Sequence, residues 1–182
     1  MTIRPGSQAD IPGILALQEL NLLTNLSPEQ KLQGFVTTPF VSDELDALID
    51  RQGICVIDNG LAIVGYAVAA GWDYFQGWPM FDLMIERFQR LAFHGIAITA
   101  RNSCQYGPVC LDLSLRGTDL FPRLFAASKS AMASRFPVGT TFINQLNQRS
   151  FQAHTRKAGL EVIDHFRFNG NDFYGLAFLT RT

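Results

Sequence analysis

The sequence predicts an α/β domain, a mixed β-sheet of about seven strands flanked by helices, on three observations. Short apolar runs rich in Val, Ile and Phe alternate with segments of helical period. Two Asn-Gly pairs, 59–60 and 169–170, stand between strand-like runs, the strongest short hairpin signal. The chain is 182 residues long, 47% apolar and only 17% charged, enough to build a real core. No Pro/Gly/Ser-rich linker divides it, so residues 1–182 read as one domain.

Residues 2–4 open with a short strand. Asp10 is placed to N-cap a helix with Pro12 in its first turn, where the missing N–H costs nothing. Ile11, Ile14, Leu15, Gln18 and Leu22 carry its period. Asp43 opens a second helical pattern with Leu45, Leu48 and Ile49 on one face. Residues 54–58, the Asn59-Gly60 turn and residues 61–70 form a hairpin. From Pro79, residues Phe81, Met84, Ile85, Phe88 and Leu91 share a helical face with Trp78. Residues 96–99 and 109–115 read as strands, and 120–135 as a long helix. Residues 140–146 follow as a strand. Asn147 caps a helix ended by Gly159. Residues 161–168 and 172–179 close the chain as a hairpin.

Composition excludes several classes of function. Fifteen basic and sixteen acidic residues give a net charge of −1, which offers no basic face for nucleic acid. The first residues carry no apolar run, and none reaches the ~18 residues of a membrane span. Cys55, Cys104 and Cys110 are odd in number without CxxC spacing, and read as reduced thiols of a cytoplasmic protein. His94, His154 and His165 show no metal-ligand spacing.

The chemistry points to one junction. A strand at 109–115 runs through Arg116-Gly117-Thr118-Asp119 into a helix. Such a turn aims backbone N–H groups and the positive helix end at one point, an anion site; a plain structural turn is the alternative. Arg116-Gly117-Thr118-Asp119-Leu120-Phe121 resembles the [Q/R]-x-x-G-x-[G/A] pyrophosphate loop of the GNAT N-acetyltransferases. Asp119 and Phe121 depart from its two small positions. Asn147-Gln148-Arg149-Ser150, followed by Gly159-Leu160, is similar to the second GNAT signature, and residues 154–178 resemble a bacterial subgroup of that family.

The resemblance spans roughly 1–71 and 105–182 and makes 72–104 an insertion between the third and fourth strands. It implies a domain that transfers acetyl from acetyl-CoA to a primary amine of a small molecule or protein. The backbone of Leu111 and Leu113 would pair with the pantetheine amides. The N–H groups of Arg116, Gly117, Thr118, Asp119, Leu120 and Phe121 would cradle the pyrophosphate. Asn147, with Ser150 beside it, would reach the pantetheine arm. His154 stands where the family often has a Tyr that protonates the departing thiolate. Asp112, sharing a strand face with Ser114, is the candidate general base, and Tyr174 a further proton donor. A carboxylate at Asp119 would compete for the N–H groups a pyrophosphate needs. A silent module that binds CoA or another ligand is therefore the alternative reading.

Seven of the twenty-one aromatic residues fall between 72 and 93. Trp72, Tyr74, Phe75 and Trp78 precede the helix face and are not explained by its period. They are candidates for a wall of the amine acceptor's pocket or for a homodimer contact. Asp73 and Asp82 are the carboxylates this segment offers to an amine.

Overall fold

Strand β1 (Thr2–Pro5) leads to helices α1 (Ile11–Glu19), α2 (Pro28–Lys31) and α3 (Ser42–Asp50), then to strands β2 (Ile54–Asp58) and β3 (Ile63–Gly71). Helix α4 (Pro79–Arg87) and the short strands β4 (Ala92–Phe93) and β5 (Ile96–Ala97) follow. The remainder is β6 (Ser103–Leu111), α5 (Leu120–Met132), β7 (Val138–Asn144), α6 (Gln148–Gln152), β8 (Glu161–Phe168) and β9 (Asn171–Leu179). This computed structural model describes residues 1–181. Seven strands form one mixed sheet in the order β1-β2-β3-β6-β7-β9-β8, and β4 and β5 pair separately. The single parallel pair among the registers described, β6 with β7, is bridged by α5, since a parallel pair needs a crossover. The chain divides into two compact units, Met1–Val68 with Gly107–Ala131, and Ala69–Tyr106 with the chain from Met132 onward.

In the first unit the apolar stripe of α1 buries Ile14 and Leu17, and α3 buries Leu45 and Leu48. The buried amide of Gln18 is satisfied at both ends by the backbone of Phe40, at 2.9 and 2.8 Å. Asp10 does not cap α1 with its side chain. Arg4 claims it instead: two guanidinium nitrogens donate to the carboxylate at 2.7 and 2.8 Å, and the Ser7 N–H and hydroxyl add two more bonds. Arg4 also donates to Asp58 at 2.8 Å, joining β1 to β2. The Asn59-Gly60 turn is longer than a two-residue hairpin. Asn59 Oδ1 accepts from the N–H of Leu61 and Ala62, so β3 starts at Ile63 rather than 61.

In the second unit the aromatic residues make a core of their own. Trp72 and Phe75 are 1% and 0% exposed. The Trp72 ring meets Phe88 edge-on at 4.9 Å, and its Nε1 donates to Ser103 Oγ at 3.1 Å. Arg87 of α4 is clamped to Asp164 of β8 by two nitrogens and lies 5.3 Å from the Phe166 ring. The closing hairpin forms where expected, with Asn169 and Gly170 at φ +46° and +78°, as its tight turn requires.

Further boundaries differ from the sequence expectation. The strand expected at 109–115 is β6, Ser103–Leu111, so residues 103–104 belong to it and not to the aromatic segment. Gly107-Pro108 concealed its first half, because neither residue favours a strand interior. The strand expected at 140–146 is Val138–Asn144, and the helix expected to reach 135 ends at Met132. The last helix changes character midway: α6 gives way to a π-helical turn over Ala153–Lys157.

Gly139 of β7 pairs with Phe178 of β9, and a Cβ at 139 would collide with the Phe178 ring. Gly139→Ala should cost about 1–3 kcal/mol, read as a fall in Tm of about 2–4 °C per kcal/mol in a thermal melt. The Arg4 guanidinium holds the Asp10 carboxyl at about 2, below its ordinary 3.8. A depressed native pKa means that the unfolded chain binds the proton first. The stabilisation is present above about pH 4 and lost as pH falls toward 2. Asp10→Asn should flatten the wild-type decline over that window in acid-unfolding curves.

Candidate active site

The expected site residues fall into two sets, one in each unit. In the first unit Leu111 ends β6, and Asp112 caps a single 3₁₀ turn, Leu113–Leu115. Asp112 Oδ1 accepts from the Ser114 N–H at 2.9 Å and its hydroxyl at 2.5 Å, which lowers the carboxyl's pKa. This cap turns the chain out of the strand. Leu113, expected to pair as strand backbone, therefore sits in the turn with its side chain 58% exposed. Asp112 and Ser114 likewise face each other across a turn rather than along one strand face.

Arg116 closes this turn against a distant segment. Its Nε donates to Leu111 O at 3.3 Å, one terminal nitrogen donates to Gln33 O and Gly34 O, and the other to Asn21 Oδ1. Gly117 follows at φ +91°, a conformation L side chains rarely adopt. Space for a Cβ there is open, with no atom within 4 Å. Thr118 N–H and Oγ1 donate to Leu115 O at 3.4 and 2.7 Å, and Thr118 Oγ1 accepts from Leu120 N–H at 3.3 Å.

Asp119 does not cap α5 with its carboxylate. That group is 74% exposed and lies 3.5 Å from Arg123 one turn on, while its carbonyl accepts the Arg123 N–H. Leu120 and Phe121 are buried at 6% and 9%. The Asp119 carboxylate thus turns away from the start of α5, where the Leu120 N–H donates to Thr118 Oγ1 and the helix presents its positive end. The same turn borders a cleft of about 210 Å³ whose lining includes Leu20, Asn21, Gln33, Asp112, Leu113 and Arg116. Asn21, Gln33 and Gly34 carry no sequence signal for a site. Their part depends on contacts 82 to 95 residues away in the chain.

In the second unit Asn147 caps α6, its Oδ1 accepting from Ser150 N–H at 3.3 Å. His154 continues that chain of polar contacts: its Nδ1 lies 2.8 Å from Ser150 O and 3.3 Å from Ser150 Oγ. A carbonyl only accepts, so Nδ1 carries the proton and the lone pair is on Nε2. His154 is 6% exposed, and burial pushes its pKa down to about 4. It is a neutral imidazole at neutral pH, so an imidazolium that protonates a departing thiolate does not fit. The Tyr174 ring lies 4.3 Å from Phe151 and 5.2 Å from His165, tying β9 to α6 and β8.

Of the four aromatic candidates, Trp72 and Phe75 are core, and Tyr74 and Trp78 are partly exposed. Trp72 is the floor of a second cleft, of about 640 Å³, edged by Asp73, Asp82, Glu86 and Arg101. Cys55 is pushed up to about 11, and Cys104 and Cys110 to about 12, all by burial, which makes them inert at neutral pH. Among the described residues no group of His, Cys, Asp or Glu is placed to hold a metal ion, and no helix is long and apolar enough to cross a membrane.

No family model and no curated protein matches this sequence. Solved structures do. The ribosomal-protein-alanine N-acetyltransferase of Brucella melitensis matches at 17% identity and a TM-score of 0.63, over 98% of this chain and 99% of that one. The GNAT-superfamily phosphinothricin acetyltransferase of Sinorhizobium meliloti, in complex with acetyl-CoA, matches at 17% and 0.63, over 98% and 87%. The ribosomal-protein-S18-alanine N-acetyltransferase of Escherichia coli matches at 9% and 0.62, over 100% and 94%. At these identities the likeness is one of fold: the chain has the fold of the GNAT acetyltransferases.

Burial separates the titration of His154 in the folded chain from that in the unfolded one. Its native pKa lies below the ordinary 6.5, so the unfolded chain binds the proton first as pH falls. Stability should be full above about pH 6.5 and decline toward pH 4, at up to about 1.4 kcal/mol per pH unit. His154→Gln should remove that slope in urea unfolding measured from pH 7 to 4.

Proposed function

We propose that the protein transfers acetyl from acetyl-CoA to a primary amine of a small molecule or protein, by direct attack of the neutral amine on the thioester. One observation carries this reading. In a GNAT fold, the turn from β6 into α5 places Gly117 at positive φ with open space above it, at the start of a 13-residue helix. A pyrophosphate would lie over that glycine, against the N–H groups entering α5 and its positive end. The chain residues that would hold the co-substrate are Gly117 to Phe121, with Leu111 at the strand end.

The protein's chemical task in such a transfer is to position the amine, polarise the carbonyl with a backbone N–H and accept a proton. Asp112, held ionised by Ser114, is the acceptor present in the first unit. The exposed Asp119 carboxylate favours a second reading, a CoA-binding module without turnover, because it places negative charge beside the pyrophosphate position.

The two readings separate in a thiol-release assay with acetyl-CoA and a panel of primary amines. The transfer reading expects amine-dependent CoA release; acetyl-CoA binding without release supports the silent module. Gly117→Val, which cannot adopt the turn without strain, should weaken acetyl-CoA at least about tenfold by calorimetry. Asp119→Gly should tighten it. No binding by either wild type or Asp119→Gly overturns the co-substrate assignment.

A further inference from the structure

The geometry points to the cleft of about 210 Å³ beside the β6–α5 turn as a site for a small primary amine that carries a short apolar arm. The inference rests on the acetyl-transfer reading for the fate of the amine, and on the cleft alone for its binding.

Two of the chain's most exposed large apolar side chains border this cleft: Leu20 is 70% and Leu113 58% exposed. Leucines left in water in the lining of a concavity stand ready to lose that exposure to a ligand. The same cleft holds one carboxylate, Asp112. Its Oδ1 is occupied by Ser114, whereas its Oδ2 has no hydrogen bond among the described residues. Arg116, the one cation in the lining, is engaged by Leu111 O, Gln33 O, Gly34 O and Asn21 Oδ1. Its donors are thus spent on holding the wall together; its charge still acts on Asp112 and helps keep that carboxyl ionised, and the acceptor offered to a ligand is the Asp112 carboxylate. One carboxylate oxygen with an open lone pair suits an ammonium, and the leucines suit an alkyl group attached to it. The volume lies below the ~300 Å³ at which pockets for larger ligands begin, which favours an amine of one residue's size.

The test uses the full chain in calorimetry at saturating CoA, with L-leucinamide, glycinamide and N-acetyl-L-leucinamide as probes. L-leucinamide should bind at least about tenfold more tightly than glycinamide, which lacks the arm, and than N-acetyl-L-leucinamide, which lacks the charge. Asp112→Asn keeps a cap acceptor for Ser114 and removes the charge, so it should abolish the preference over N-acetyl-L-leucinamide. Leu113→Ser, at an exposed turn position, should abolish the preference over glycinamide. Equal affinity for leucinamide and glycinamide, no measurable leucinamide binding, or no effect of Asp112→Asn would overturn the inference. A parallel titration with acetyl-CoA separates the two claims. Leucinamide selectivity without acetyl-CoA binding leaves the cleft assignment standing and removes the transfer reading. Acetyl-CoA binding without leucinamide selectivity does the reverse.

Discussion

The first unit turns on the guanidinium of Arg116. Five residues after Leu111 it reaches back to the Leu111 carbonyl, and across 82 to 95 residues of sequence to Gly34, Gln33 and Asn21. Asn21 is a node in its own right. Its Nδ2 donates to Leu17 O at 2.8 Å, its carbonyl accepts from Val36 N–H at 2.8 Å, and its Oδ1 accepts from Arg116. The chain from 20 to 36 contains little regular structure: a 3₁₀ turn at Leu23–Asn25, the four-residue helix α2 and the Leu22–Val36 bridge. Charge-assisted bonds to carbonyl oxygens are stronger than neutral ones, and here they hold an irregular segment against the turn. The cleft exists because these two pieces of chain are tied at its floor.

With Arg116 directed to Gln33 and Asn21, Gly117 to Leu120 are left to the geometry of the helix start. Thr118 supplies the hydroxyl cap and Asp119 pairs outward with Arg123. The second unit is built in the opposite way. Asn147, Ser150 and His154 satisfy one another, and burial keeps the imidazole neutral. Polar groups so placed fix the imidazole in one orientation, and its burial disfavours the charged form.

Much of this architecture could be read from residue pattern. The closing hairpin follows from Asn169-Gly170 between two alternating runs, and the α6 cap from Asn147. Alternation and turn chemistry are local, so the sequence displays them directly. What escaped reading was non-local. Asp10 looks like a cap until Arg4 is seen to claim it. The first half of β6 is hidden by Gly107-Pro108, a pair that local preference reads as a break; the described β7 register lies before it, at Ser103–Gln105. Trp72 and Phe75 fit no helical period because they precede α4 and pack against Phe81 and Phe88. The aromatic excess at 72–93 is therefore largely core. The cleft was invisible for the same reason, since Asn21, Gln33 and Asp112 meet only after folding.

In the proposed function the Arg116–Phe121 turn would receive the pyrophosphate of acetyl-CoA. A crystal structure of the wild-type protein soaked with acetyl-CoA tests it most directly. The account predicts density for the pyrophosphate over Gly117, with phosphate oxygens accepting from N–H groups at the start of α5 and Arg116 still joined to Asn21. A fully occupied ligand whose pyrophosphate lies elsewhere, or a turn that stays bare at saturating acetyl-CoA, would contradict it.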